Sequence, residues 1–169
     1  TLDNDLPVLA VSDVTVEEGS TAVFTVSLDK ATEDAVTLTL TPELKAGVDT
    51  AEAGDIGGVT KVSYTDGTGE HVIAANTDGT YTIPAGVQTL SVSVETNDDV
   101  VYEGAETFTL KAEGTVSGTP LTAAEGTGTL TDNGSGPDGD DPDTTLDNDL
   151  PVLAVSDVTV EEGSTAVFT

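Results

Sequence analysis

The amino-acid sequence predicts an all-β protein, an immunoglobulin-like antiparallel β-sandwich with Greek-key topology and about seven to nine strands. Two observations predict this fold class. Short segments alternate apolar and polar residues with the period of two that turns one side of a strand toward a core. Turn-forming pairs such as Asp66-Gly67 and Asp78-Gly79 separate these segments. No segment shows helical periodicity.

The clearest strands are residues 21–28 and 35–41. In the first, Phe24 and Val26 share one face while Thr21 and Thr25 share the other. The same alternation returns at 88–96 and 106–112, with weaker versions at 8–16, 59–64, 71–75, 80–83 and 126–131. A disordered acidic chain has no reason to maintain apolar faces through so many segments, so the pattern favours a folded sandwich.

Composition excludes several classes of function. The 169 residues include 32 acidic residues against four lysines or arginines, for a net charge of -28. Nucleic acids and anionic membranes need a basic surface and are excluded as partners. No apolar run is long enough to insert in a membrane. The chain has no Cys, so disulfides, zinc-thiolate sites and thiol nucleophiles are excluded as well.

An exact internal repeat sets the organisation of the chain. Residues 1–25 recur unchanged as residues 145–169, a period of 144 residues that is typical of an array of whole domains. We predict the end of a preceding linker at 1–6, a sandwich repeat at 7–131, an acidic linker at 132–149 and the incomplete first strands of a next repeat at 150–169. One hypothesis is that residues 151–169 pair with another molecule, in the place of its residues 7–25.

Acidic residues concentrate where predicted strands end. The three clusters are Glu17 and Glu18; Asp98, Asp99, Glu103 and Glu106; and the linker residues Asp132, Asp138, Asp140, Asp141, Asp143, Asp147 and Asp149. Crowded carboxylates repel one another, and a hard cation relieves the repulsion. Ca²⁺ suits flexible, oxygen-rich turns better than Mg²⁺ does. The alternative is an acidic surface that only maintains solubility.

Four segments resemble the Calx-beta family of calcium-binding domains. They are 14–28, 51–56, 83–110 and 126–134, and the third is the most specific, with a turn, a strand, a pair of acids and then aromatic-Glu-Gly-x-Glu-x-Phe. The resemblance implies a sandwich with Ca²⁺ as its cofactor. The calcium ligands that it implies are Glu18, Asp55, Asp98, Asp99, Glu103, Glu106 and Asp132.

Tandem copies of such a domain resemble the extender region of large RTX-type adhesins of bacteria. This resemblance implies a secreted, cell-surface spacer that projects an adhesive region, with identical neighbouring repeats and calcium ions as its partners. Calcium at the junctions would then be held by linker acids, among them Asp3, Asp5, Asp147 and Asp149.

Enzyme activity is not expected. His71 is the sole histidine, no Gly-x-Ser-x-Gly elbow accompanies it, and the adjacent acids Asp98 and Asp99 would point to opposite faces of a strand. The alternative to a spacer is a calcium-dependent carbohydrate- or protein-binding module of a secreted protein. Few aromatic residues are available for such a site, and Phe24 and Phe108 lie on apolar strand faces.

Overall fold

The computed structural model describes residues 6–47, 50–98, 104–131 and 153–169. These residues form an all-β sandwich of two sheets with no helix, which confirms the predicted immunoglobulin-like fold class. Among them, no helix is long and apolar enough to cross a membrane.

The described residues form eleven strands, all between Leu9 and Thr131, which is more than the seven to nine predicted. In chain order they are β1 (Leu9–Val11), β2 (Val14–Glu17), β3 (Thr21–Leu28), β4 (Val36–Glu43), β5 (Ile56–Asp66), β6 (Gly69–Val72), β7 (Tyr81–Ile83), β8 (Thr89–Thr96), β9 (Glu106–Val116), β10 (Thr119–Pro120) and β11 (Ala124–Thr131).

The strands divide into two sheets. The first has the order β1-β3-β8-β5-β6, and the second has the order β2-β11-β9-β4-β7, with β10 paired to β9. All strand pairs are antiparallel except β2 with β11, which run parallel. The predicted first strand, 8–16, is therefore two strands that belong to different sheets.

The first strand changes sheets at Ser12 and Asp13. The Ser12 amide donates to the Thr25 carbonyl at 2.9 Å, and the Asp13 carboxylate accepts from the Thr127 amide at 2.8 Å. The chain passes so close to β11 that a Cβ on Gly126 would lie 2.2 Å from the Ser12 carbonyl oxygen. Only glycine fits at this position.

The core lies between the sheets and uses the alternating faces that the sequence predicts. In β3, every second residue from Ala22 to Leu28 is buried, and β8 shows the same alternation from Leu90 to Val94. Phe24 and Phe108 are 0% and 1% exposed. The apolar residues of the alternating pattern are thus the side chains that become buried on folding.

Some strand boundaries differ from prediction. β6 covers 69–72 instead of 71–75, because the Asp66-Gly67 turn closes a tight hairpin with β5. β10 was not among the predicted strands. It pairs with the end of β9 through a turn in which Ser117 and Gly118 have φ angles of 49° and 78°. In the second copy, residues 153–169 contain a turn but no strand.

Candidate functional site

Several separate chain segments meet at one end of the sandwich. β2, β8 and β11 end there, while β5 and β9 begin there. The acidic residues that these segments bring to this end are Glu17, Glu18, Asp55, Asp98 and Glu106, which we call the acidic pole. Residues far apart in sequence therefore share one end of the fold.

Glu18 is anchored at this end by the strand that closes the domain. Its amide donates to the Thr131 carbonyl at 3.0 Å, directly beyond the parallel pairing of Glu17 with Thr131. Glu17 is exposed, whereas Glu18 is only 7% exposed and its Oε1 is buried. The alternation of β2 continues one residue beyond the strand and turns the second glutamate inward.

Asp55 lies in the loop before β5 and is also 7% exposed. Its Oδ2 accepts a hydrogen bond from the Glu52 amide at 2.5 Å, which closes the loop on itself. Its carbonyl accepts from the Asn97 amide at 2.8 Å. This contact joins the loop to the residues that follow β8.

Glu106 and Asp98 complete the described part of the acidic pole. Glu106 is the first residue of β9, opposite Leu130 of β11, and its Oε2 is buried. Asp98 is exposed and follows β8, which ends at Thr96. Both residues make interactions within the structure. Asp98 therefore lies beyond the strand, so strict strand alternation does not set the direction of its side chain.

The other predicted ligands lie outside the described residues. They are Asp99, Glu103, Asp132, Asp138, Asp140, Asp147, Asp149, Asp3 and Asp5, together with Asp141 and Asp143 of the linker. Among the described residues alone, no three acidic or histidine side chains are grouped closely enough to hold a metal ion. The acidic pole thus provides part of a candidate ligand set, next in sequence to Asp99, Glu103 and Asp132.

Polar residues that the sequence analysis did not single out hold the acidic pole together. The hydroxyl and amide of Thr96 both donate to the Ser20 carbonyl, at 2.5 and 3.2 Å, and Asn97 Nδ2 donates to the Gly54 carbonyl at 2.5 Å. Thr96 is 3% exposed. A signal was present in the sequence, because Thr96 continues the buried alternation of Leu90, Val92 and Val94 with a polar residue.

Lysines neutralise acids on the faces of the sheets. Lys61 bonds Glu70 at 2.6 Å and lowers the pKa of that carboxyl. Lys45 likewise lowers the pKa of Glu125. The Glu113 side chain, 3.2 Å from Lys111, raises the pKa of that lysine. These three pairs lie on strands or their extensions, and their acids are not those of the predicted calcium site.

His71 belongs to a polar cluster at the β5–β6 hairpin. Its ring stacks on Tyr64 at a centroid distance of 4.9 Å, and its Nε2 lies 3.0 Å from Asp66 Oδ1. Tyr64 and Asp66 also line a shallow groove of about 380 Å³ with Gln88. The groove contains an aromatic ring, a carboxylate and an amide, which are groups that bind sugars or peptides.

No protein-family profile matches the chain. No curated protein matches it either.

Solved structures with a similar fold include three distant examples. The apo Calx CBD1 domain is 14% identical with a TM-score of 0.38, covering 74% of this chain and 97% of that one. A non-cellulosomal cohesin from Archaeoglobus fulgidus is 12% identical with a TM-score of 0.39, covering 75% and 92%. The collagen-binding subdomain of the Enterococcus faecalis surface protein ACE is 6% identical with a TM-score of 0.35, covering 77% and 100%. At TM-scores below 0.5 and identities of 6–14%, these likenesses say nothing about a site in this chain.

Proposed function

We propose that this chain is a Calx-beta-like extender repeat of a bacterial RTX-type adhesin, exported to the cell surface and stiffened by calcium. It acts as a non-catalytic spacer that projects an adhesive region for attachment to cells or biofilms. The observation that carries the proposal is that acids from separate chain segments lie at one end of the sandwich, the end at which β11 stops at Thr131, next in sequence to the predicted linker.

The chemistry of the acidic pole favours a hard cation. Glu18 Oε1 and Glu106 Oε2 are carboxyl oxygens buried at this end. A buried carboxylate loses hydration, and a bound cation compensates for that loss. Ca²⁺ accepts six to eight oxygens in flexible geometry, which suits side chains that come from turns and strand ends.

The position of the acidic pole explains how an ion would change the shape of an array. β11 ends at Thr131 beside Glu17, and Asp132 is the next residue and the first of the linker. The linker 132–149 can span at most about 60 Å at roughly 3.3 Å per residue. Calcium held by linker acids and the acidic pole would shorten the free part of this connection, so that the neighbouring repeat becomes fixed in direction.

A calcium titration of the 169-residue chain tests the site. We expect saturable heat in calorimetry and a rise of about 10 °C in melting temperature when calcium exceeds its dissociation constant a hundredfold. Glu18→Gln and Glu106→Gln should each weaken binding at least tenfold. Glu33→Gln is the matched control, because Glu33 is exposed in the connection from β3 to β4, at the opposite end of β3. Equal binding by all four proteins would contradict the site.

Small-angle scattering of two complete repeats tests the spacer role. The maximum dimension should be larger and better defined in calcium than in chelator. The paired variant Asp98→Asn and Asp99→Asn should reduce this difference without unfolding the domain. Identical scattering profiles in both conditions would contradict stiffening by calcium, even if the ion binds.

The groove beside Tyr64 supports a second candidate function, a calcium-dependent carbohydrate- or protein-binding module. The Tyr64–His71 stack offers a rigid aromatic surface next to Asp66 and Gln88. An NMR titration with simple sugars and short peptides would distinguish the two functions. Shifts confined to this groove that disappear in Tyr64→Ala would favour the binding module, and an unchanged spectrum would favour the spacer.

A further inference from the structure

The chain enters and leaves the sandwich at opposite ends. β1 begins at Leu9, which pairs with Leu28 at the end of β3. β11 stops at Thr131, which pairs with Glu17 at the acidic pole. β3 links the two ends, from Thr21 beside the acidic pole to Leu28, a length of about 25 Å at roughly 3.3 Å per residue. A pull on the chain before β1 and after β11 therefore acts along the strands.

β2 and β11 lie side by side between these two ends and run parallel. Their register pairs Val14 with Gly128 and Glu17 with Thr131. The chain before β2 comes from the end at Leu9, and the chain after β11 leaves at the acidic pole. Opposite pulls on the two sides therefore draw β2 and β11 along each other in opposite directions. Since the hydrogen bonds of a sheet lie across the strands, all rungs of the pair bear this shear at once.

Two further hydrogen bonds extend this strand pair at its ends. The Thr127 amide donates to the Asp13 carboxylate at 2.8 Å, before the first rung. The Glu18 amide donates to the Thr131 carbonyl at 3.0 Å, beyond the last rung. We call β2, β11 and these two bonds the clamp. It joins the two strands continuously from Asp13 to Glu18.

Apolar side chains resist the same sliding motion. Val14 and Val16 are partly buried and pack against the core, and Leu130 is 0% exposed. Just before β2, the Ser12 carbonyl lies so close to β11 that only glycine fits at position 126. Displacement of β2 along β11 therefore breaks close packing in addition to hydrogen bonds.

β1 carries the pull before it reaches the clamp. The Val8 amide donates to Asp29 Oδ1 at 2.6 Å, and the Asp29 amide donates to the Val8 carbonyl at 3.1 Å. At the other end of β1, the Ser12 amide donates to the Thr25 carbonyl at 2.9 Å. Because β1 lies along β3 in the direction of the pull, these bonds are loaded in shear as well.

We propose that the domain has a load-bearing function, in which the clamp keeps the sandwich closed against a pull on the chain at its two ends. This inference rests on the proposed spacer role, because a spacer transmits the pull between a cell and the surface to which it is attached. The clamp itself needs no calcium, since its hydrogen bonds and apolar contacts join protein groups alone. Failure of the clamp and failure of the calcium site are therefore separate results.

Single-molecule stretching of the 169-residue chain in chelator tests the clamp by changing the direction of the pull. The chain has no Cys, so Ser20→Cys supplies a unique attachment point at an exposed residue beside the acidic pole. A pull on the N and C termini loads the clamp in shear. A pull on position 20 and the C terminus instead draws β11 away from its neighbours at the Thr131 end, so that its rungs open one after another.

The two pulls use the same variant and the same C-terminal attachment, so its stability and the residues after Thr131 contribute equally to both. We expect the first pull to need a force at least about twofold higher than the second, because forced unfolding depends on the barrier along the direction of the pull. Equal forces, or a lower force in the first pull, would overturn the proposal. Neither result bears on calcium binding, which calorimetry measures separately.

Asp13→Ala tests the bond at the far end of the clamp. It should raise the unfolding rate at constant force about tenfold in the first pull, because one hydrogen bond to a charged group is lost. The second pull should be unchanged, because peeling begins at Thr131. Asp78→Ala is the matched control: Asp78 also accepts a backbone amide, from Thr80 at 3.0 Å, but in the loop between β6 and β7. It should change neither rate. An equal effect of Asp13→Ala on both pulls would overturn the place of Asp13 in the clamp.

Discussion

The rings of Phe24 and Phe108 pack edge to face across the sandwich, with centroids 5.7 Å apart and an interplanar angle of 81°. Phe24 belongs to β3 in one sheet and Phe108 to β9 in the other, so the pair joins the two sheets. Phe108 also covers Gly128, where a Cβ would lie 2.4 Å from ring atom Cε1. The Phe108 ring on β9 therefore fits only because Gly128 on β11 has no side chain.

Phe108→Ala is expected to lower the free energy of unfolding by about 3–5 kcal/mol, because it removes a buried ring and leaves a cavity between the sheets. Phe108→Leu retains most of the apolar volume and should cost less than half as much. Urea unfolding followed by circular dichroism measures both. Equal losses for the two variants would show that the volume of the ring is not the stabilising feature.

Gly126→Ala is expected to destabilise the domain by about 2–3 kcal/mol, because the new Cβ would overlap the Ser12 carbonyl where the first strand changes sheets. Gly58→Ala is the matched control, since a Cβ there meets nothing within 4 Å. Thermal unfolding of the two variants should differ by several degrees. Equal melting temperatures would contradict this prediction, because they would mean that β11 can move away from Ser12 without a loss of stability.

Substitutions of Asp55 separate its structural role from metal binding. In chelator, Asp55→Ala loses the hydrogen bond from the Glu52 amide and should lower the free energy of unfolding by about 1–2 kcal/mol. Asp55→Asn keeps an acceptor oxygen and should be close to unchanged in chelator, but it should bind calcium about tenfold more weakly. Calorimetric titration and melting in chelator measure the two effects. An Asp55→Asn variant with unaltered calcium affinity would remove Asp55 from the ligand set.

The carboxyl of Asp66 is expected to have a pKa well below the usual value for aspartate. Hydrogen bonds from the Thr68 hydroxyl and amide, followed by His71, lower the pKa of Asp66 to about 2. Because the folded pKa lies below the unfolded value, the contribution of Asp66 to stability is complete above pH about 4 and is lost as the pH falls through about 2. Carboxyl NMR titration measures the pKa, and Thr68→Val should raise it more than His71→Gln does. The reverse order would contradict the leading role of Thr68.

The fold class could be predicted from the sequence because strand alternation is a local property. The side chains of Phe24 and Val26 point to one face whatever their partners are, so their apolar character records burial directly. The same holds for Leu90, Val92 and Val94 in β8. The side chains that these strands bury in the core could therefore be predicted without knowledge of strand order.

The candidate site could be predicted only in part. Acids at strand ends were visible in the sequence, but their meeting at one end depends on contacts such as Glu18 with Thr131 and Asp55 with Asn97. The separation of exposed Glu17 from buried Glu18 follows the local alternation of β2, but which other acids lie beside them does not. The grouping of the acids arises from pairing between segments more than forty residues apart.

The sequence by itself determined most of the strands, their buried faces and the exact repetition of residues 1–25 as 145–169. Only the tertiary structure decided that residues 8–16 divide between two sheets, that β2 runs parallel to β11, and that Gly126 and Gly128 are required by neighbours distant in the chain. The physical reason is the separation in sequence between the residues that make each contact. Periodicity depends on the geometry of a single strand, whereas sheet order, close approach and the grouping of acids depend on long-range contacts that form only when the whole core is assembled.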